Sequence, residues 1–326
     1  MNPIGIIVIG RNEGNRLKEC LLSVIGELRT VIYVDSGSTD NSVSEAKSLG
    51  IHVVELDLSV KFTAARARNA GFEYLLLIKP EIEFVQFVDG DCRVVSGWLE
   101  RAASELMQNT ELVVVCGRRR EEFPNNSIFN RLLDIEWNTP VGEALACGGD
   151  AMMRVSALKK VGGFNSKLIA GEEPELCLRL RTAGGKILRI DADMTLHDAQ
   201  MTRLSQWWKR SVRSGYGFLE GALLYGLWVR QCFRIWFWSL FLPLLAIAGL
   251  FLIGGLSVLL LLVAYTFLSY RVYQIARGKG FNSMDSFFYG VFCLLEKYPQ
   301  LLGQSQYFIF RFLNKQTNIV EYKHVG

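Results

Sequence analysis

Phe84-Val85-Gln86-Phe87-Val88-Asp89-Gly90-Asp91 is an apolar run that ends in two carboxylates one residue apart. The run from Phe84 to Val88 reads as a buried strand, and Gly90 marks where the chain leaves the sheet. In an open α/β sheet, ligands sit outside the carboxyl ends of the strands. Two acids placed there repel each other and lose hydration unless a cation or a hydrogen-bonding ligand joins them. Oxygen ligands of this kind suit a hard divalent ion that also carries substrate phosphates. The alternative is an Asp-Gly turn bearing two solvated acids.

The segments on either side repeat the pattern. Further strands are predicted at Ile4–Ile9, Val31–Asp35, His52–Glu55, Leu112–Cys116 and Ile187–Ile190. Helices are predicted at Arg16–Ile25, Asn41–Leu49, Thr63–Leu75, Gly97–Gln108 and Glu173–Thr182. Continuous apolar strands alternating with helices predict an α/β fold with a mostly parallel sheet covered on both faces. Polar strand ends at Arg11-Asn12-Glu13, Asp35 to Asp40 and Asp89-Gly90-Asp91 would then meet on one edge.

The apolar content, half of 326 residues, is unevenly spread. No charged residue occurs from Ile235 to Tyr270, a stretch of 36 residues. Residues 1–202 carry a net charge of −5, residues 203–234 add +5 and residues 271–279 add +3. Basic clusters therefore flank an apolar run, as the positive-inside rule produces. Nucleic-acid binding calls for a basic face inside a soluble domain, and the pattern excludes it. One span needs about 20 residues, so 36 suit a helical hairpin, spanning or re-entrant, with Gly254-Gly255 at its turn. Both flanks would then face the cytosol. Segments Ser214–Trp228 and Phe287–Leu295 are expected to lie in the headgroup plane. The reading divides the chain into a globular α/β domain (1–202), a basic interfacial segment (203–234), the hairpin (235–270) and a C-terminal segment (271–326). Seven scattered cysteines without a CxxC pair argue against a disulfide framework or a thiolate metal site. The N-terminus shows no basic, cleavable leader, so the globular part is expected in the cytosol.

Six segments in order then carry a resemblance: the Gly10-Arg11-Asn12-Glu13 region, Val34 to Asp40, Ala65 to Gly71, Asp89-Gly90-Asp91, Gly162-Gly163-Phe164 and Gly171 to Leu176. Over about residues 4–200 they resemble the inverting glycosyltransferases of family 2, with the nucleotide-sugar GT-A fold. The resemblance implies a nucleotide-sugar donor, most often of uridine diphosphate, and a divalent cation, Mg2+ or Mn2+. By the same resemblance, Asp35 holds the nucleotide base, with an Asx-turn over Ser36–Thr39 as the alternative. Arg11, Asn12 and Arg68 fall among the nucleotide contacts. Asp89 accepts hydrogen bonds from the ribose, and Asp91 binds the metal that bridges the diphosphate. Glu172-Glu173 stands where the family usually has Glu-Asp. Glu173 is taken as the base that deprotonates the acceptor hydroxyl, with Glu172 as second choice. His197 falls where some GT-A enzymes place a third metal ligand, or is a polar surface residue; His52 and His324 sit in no motif.

Gln206-Trp207-Trp208-Lys209-Arg210 partly matches the Gln-x-x-Arg-Trp element of processive synthases. A single hairpin cannot enclose a product channel, so a non-processive enzyme adding one sugar is expected. Trp207 and Trp208 are candidates for stacking on the acceptor, or for anchoring at the membrane interface. The acceptor expected from membrane attachment is lipid-linked or a polysaccharide, at the cytosolic face of the cytoplasmic membrane. The competing reading is a catalytically silent, GT-A-like membrane subunit that binds nucleotide or a partner transferase.

Overall fold

The apolar runs form strands at the expected places, and their ends define an edge. The computed structural model describes residues 3–168 and 170–313. It divides into two compact units, one reaching to Glu122 and including Trp137–Ala199, the other made of Phe123–Glu136 and the chain from Gln200 onward. Phe123–Glu136 lies within the first 202 residues of sequence but packs with the C-terminal helices.

In the first unit β1 (Ile4–Gly10), α1 (Asn15–Val24), β2 (Arg29–Asp35), α2 (Ser42–Ser48), β3 (His52–Glu55), α3 (Ala64–Ile78) and β4 (Phe84–Asp89) alternate. Their strands run parallel in the order β3-β2-β1-β4. Gly10 pairs with Asp35 and Ile9 with Asp89, so three carboxyl ends stop side by side. Helix α3 begins where the Thr63 hydroxyl accepts the Arg66 N–H at 3.1 Å. It lies close on the sheet because Gly71 has no side chain. A Cβ there would come within 2.5 Å of Ile7 and 2.8 Å of Val34.

Beyond β4 follow β5 (Cys92–Val94), α4 (Trp98–Gln108), β6 (Leu112–Glu121), β7 (Gly142–Glu143), β8 (Ala151–Arg154), α6 (Val155–Val161), α7 (Glu172–Thr182) and β9 (Lys186–His197). Here the sheet becomes mixed. Strand β8 sits antiparallel between β4 and β6, while β6 and β9 pair in parallel. The expectation of a mostly parallel sheet therefore holds for the first four strands and is corrected beyond them. Ala151-Met152-Met153-Arg154 is short and made of helix-favouring residues, which hid it. β6 and β9 also continue past their apolar cores, through Arg118–Glu121 and Asp191–His197, with register shifts between them.

The second unit contains α5 (Ile128–Trp137, up to Glu136), α8 (Leu204–Tyr225), α9 (Val229–Trp236), α10 (Leu242–Ile253), α11 (Leu256–Gly278), α12 (Ser283–Leu295) and α13 (Lys297–Phe312). A π turn at Phe237–Phe241 joins α9 to α10, ahead of Pro243, which has no N–H to donate. Two helices, Val229–Ile253 of 25 residues and Leu256–Gly278 of 23, are long and apolar enough to cross a membrane. Gly254, at φ 58°, begins the turn between them. Phe251 and Leu252, at the end of the first helix, are 89% and 86% exposed. Of the two segments expected in the headgroup plane, Ser214–Tyr225 lies in α8 and Phe287–Leu295 in α12. A Cβ at Gly215 would strike the Gln300 carbonyl at 2.0 Å, and one at Gly290 the Ser269 carbonyl at 2.4 Å.

Candidate active site

The carboxyl end of β4 lies in a network of acids and arginines. Arg68, 2% exposed on α3, reaches Asp89 Oδ1 with Nη2 and Glu172 Oε1 with Nη1, both at 2.8 Å. Arg119, on the polar extension of β6, donates to Asp89 Oδ2 at 3.2 Å and lies 2.8 Å from Asp150 Oδ2. Asp150 is fully buried ahead of β8, accepts from the Asp89 N–H at 3.0 Å and takes the Thr195 hydroxyl at 2.7 Å. Burial works against the charge of both arginines, but the facing carboxylates outweigh it and raise their pKa values. The Asp89 carboxylate is therefore held by two cations, and its own N–H by Asp150, rather than being solvated in a turn.

Asp91 points elsewhere. Its Oδ2 is 3.0 Å from His197 Nε2, and both side chains are buried. Burial, with Arg119 nearby, pushes the His197 pKa down to about 4, so the imidazole is neutral at pH 7. Its Nδ1 is buried without a hydrogen-bond partner among the described residues, and its ring packs edge-on to Trp137 with centroids 4.8 Å apart. The surface alternative for His197 is thus overturned. His324 lies outside the described residues.

At the end of β2, the Asx-turn is realised. Asp35 is 3% exposed; its Oδ2 accepts the N–H groups of Gly37 and Ser38 at 2.9 and 2.8 Å, and its Oδ1 the Tyr33 hydroxyl at 2.8 Å. Asn12 ties this loop to the end of β1. Its N–H donates to Ser38 Oγ and its Oδ1 accepts the Thr39 N–H. It does so from a positive φ of 55°, which asparagine adopts more readily than most residues. Arg11 donates to the Gly37 carbonyl at 3.3 Å and stacks over Phe62.

The second acid pair is split by the start of α7. Glu172 faces Arg68. Glu173 is 7% exposed, accepts the Cys147 N–H, and takes the Cys177 thiol at 2.9 Å. Burial raises the proton affinity of Glu173, and these hydrogen bonds offset part of the rise. Gly149, between Cys147 and Asp150, closes over the arginines. A Cβ there would lie 2.9 Å from Asp89 Oδ2 and 3.1 Å from Nη2 of both Arg68 and Arg119.

The tryptophan candidates belong to the second unit and are described there. Trp207 is 6% exposed and packed between Phe129 and Phe292, so its faces are taken and acceptor stacking by Trp207 is corrected to core packing. Trp208 is 42% exposed. Gln206, read as part of a synthase element, caps α8 instead: its Oε1 accepts the N–H groups of Thr202 and Arg203.

Arg119, Asp150, Thr195, Gly149 and Trp137 were not singled out from sequence. The Gly148-Gly149-Asp150 triplet was the available signal, since glycines beside an acid mark close backbone approach.

Buried acids and arginines at the carboxyl edge of such a sheet, beside a second acid pair at a helix start, define a glycosyltransferase of GT-A fold. Residues 5–162, just under half of the chain, match the glycosyl transferase family 2 model. Glycosyltransferase AglE of Haloferax volcanii is 24% identical over 255 residues, 74% of this chain and 81% of that protein. The pre-mycofactocin glycosyltransferase of Mycobacterium tuberculosis is 28% identical over 230 residues, 65% of this chain but 46% of its own length. The chain thus spans about half of that relative. The mannosyltransferase PcManGT from Pyrobaculum calidifontis, solved with GDP-Man and Mn2+, shares the fold with a TM-score of 0.60 and 14% identity, covering 94% of this chain and 88% of that one.

Proposed function

We propose that this glycosyltransferase is metal-dependent and inverting, and moves one sugar from a nucleotide-sugar, a UDP-sugar by preference, to a lipid-linked or polysaccharide acceptor at the cytosolic face of the cytoplasmic membrane. The observation that carries the reading is the pairing of Asp89 with Arg68 and Arg119 at the strand edge, with Asp91 directed away to His197. The two apolar helices support the membrane part.

Asp91 and His197 would hold the divalent ion. The Asp91 carboxylate is the oxygen ligand that Mg2+ or Mn2+ prefers, and Nε2 of the neutral His197 imidazole stands 3.0 Å from it, within reach of the same ion. Cys92 lies within reach, but burial holds its thiol protonated. When bound, the ion supplies Lewis-acid stabilisation of the leaving diphosphate. Arg68 and Arg119 add positive charge on the same side. Asp89 would exchange an arginine partner for the ribose hydroxyls. The loop that Asp35 shapes, with Arg11 and Asn12, would frame the base. Glu173, with its raised proton affinity, would take the acceptor proton.

Membranes containing the chain, incubated with labelled UDP-sugars and GDP-mannose with and without Mn2+ or Mg2+, test the reading. One label is expected to enter the lipid extract or polysaccharide, to disappear with a chelator, and to be lost in Asp91→Asn. Transfer to soluble acceptors alone would sink the acceptor assignment. Unchanged turnover in Asp91→Asn would sink the metal assignment. Nucleotide binding without any turnover would favour a silent subunit.

A further inference from the structure

We propose that Cys147, Cys177 and Glu173 form a binding site for a thiophilic divalent cation of the Zn2+ class, distinct from the hard-ion position at Asp91. The site is assembled from two places in the fold. Glu173 and Cys177 stand four residues apart on α7, and so share one face of the helix. Cys147 comes from the loop between β7 and β8, and its N–H already holds the Glu173 carboxylate. One ligating atom of each residue lies within 4.8 Å of the others, and all three side chains are buried.

Distances favour an ion over a disulfide. The two sulfurs are 3.6 Å apart. Tetrahedral Zn–S bonds of about 2.3 Å separate two sulfurs by roughly 3.8 Å, so the thiols already stand near a coordination edge. A disulfide needs about 2.05 Å and would require them to close by roughly 1.5 Å. The Cys177–Glu173 contact of 2.9 Å is a hydrogen bond, and it must open as the thiol proton leaves.

Two thiolates select Zn2+ over Mg2+ and Mn2+, which prefer oxygen. The hydrogen bond with Cys177, and then burial, raise the Cys147 thiol, while the bond to Cys147 lowers that of Cys177 and burial raises it on balance. Both are protonated at neutral pH, so each ion bound must displace about two protons. Access is through the loop, where the neighbours Ala146 and Gly148 are exposed. An ion held there occupies the Glu173 carboxylate and withdraws it from proton transfer. That consequence, inhibition by Zn2+, rests on the reading of Glu173 as the base; the binding does not.

The test uses the full-length protein in detergent, titrated with Co2+ and then Zn2+. Expected are one equivalent of Co2+ with a near-ultraviolet thiolate charge-transfer band, displacement by Zn2+, and release of about two protons per Zn2+. Cys147→Ser/Cys177→Ser should lose the band, Cys232→Ser should keep it, and Glu173→Gln should keep it with affinity weakened at least about tenfold. A wild-type protein without the band, or a band that survives the double substitution, overturns the site, and the first outcome needs no variant to fold. Binding of Zn2+ with transfer unaffected would leave the site standing and refute Glu173 as base.

Discussion

Arg68 of α3 and Asp89 of β4 form an ion pair at 2.8 Å in which the arginine is almost wholly buried, and the second arm of the same guanidinium holds Glu172. A planar fork spans two carboxylates from different elements in one fixed geometry, which the point-like ammonium of lysine reproduces poorly. Arg68→Lys should therefore fold, keep one partner and lose at least about tenfold in sugar transfer. Arg68→Ala leaves the acids facing each other and should destabilise the unit by about 3 kcal/mol. Transfer assays with thermal unfolding decide it; full activity in Arg68→Lys would show that the fork is structural only.

Glu172 and Glu173 are neighbours in sequence but not in surroundings. The carboxamide of Glu172→Gln still accepts from Arg68, so a modest rise in donor KM is expected with kcat largely kept. Glu173→Gln cannot take a proton. Its kcat should fall by about 10²- to 10⁴-fold with donor KM unchanged. The reverse split would move the base to Glu172.

Gly148 and Gly149 separate backbone strain from steric closure. Gly148 has φ +83° and open space around its missing Cβ, so Gly148→Ala should cost about 1–2 kcal/mol of stability and leave transfer intact. Gly149→Ala pushes a methyl between Asp89 and both arginines. Several-fold weaker donor binding should exceed any change in melting temperature. Equal effects of the two substitutions on KM would contradict the crowding at Gly149.

The strand ends at Gly10, Asp35 and Asp89 were legible because apolar runs stop abruptly at polar residues, and register then aligns them. Asp91 was legible for the same reason, whereas the Glu172-Glu173 pair stood out only through its resemblance to the family's base motif. Arg119 and Thr195 were not, because they ride on polar continuations of β6 and β9 that have no hydrophobic period. The pairing of Asn69 with Gly163-Phe164 shows a different limit. Both segments were recognised, but the Asn69 carboxamide that accepts the Phe164 N–H and donates to its carbonyl joins positions 95 residues apart. Trp207 misled because an aromatic pair beside basic residues reads equally as ligand platform or helix packing.

Glu220 is the single acid among the basic residues of 203–234, and on α8 its Oε2 is buried without a hydrogen-bond partner among the described residues. Burial pushes its pKa up to about 7. The unfolded value is about 4.3, so between these limits the folded state binds more protons than the unfolded one. The stabilisation is complete below about pH 4 and is lost as pH rises through 7. Glu220→Gln should therefore flatten the fall in melting temperature between pH 5 and 8, and the variant should be the more stable protein at pH 8. Glu296 is also raised, by burial and then by Glu136, and its slope remains in both proteins. Tryptophan-fluorescence melting in detergent across this range provides the measurement. Parallel curves for the two proteins would show that Glu220 titrates as a solvated acid.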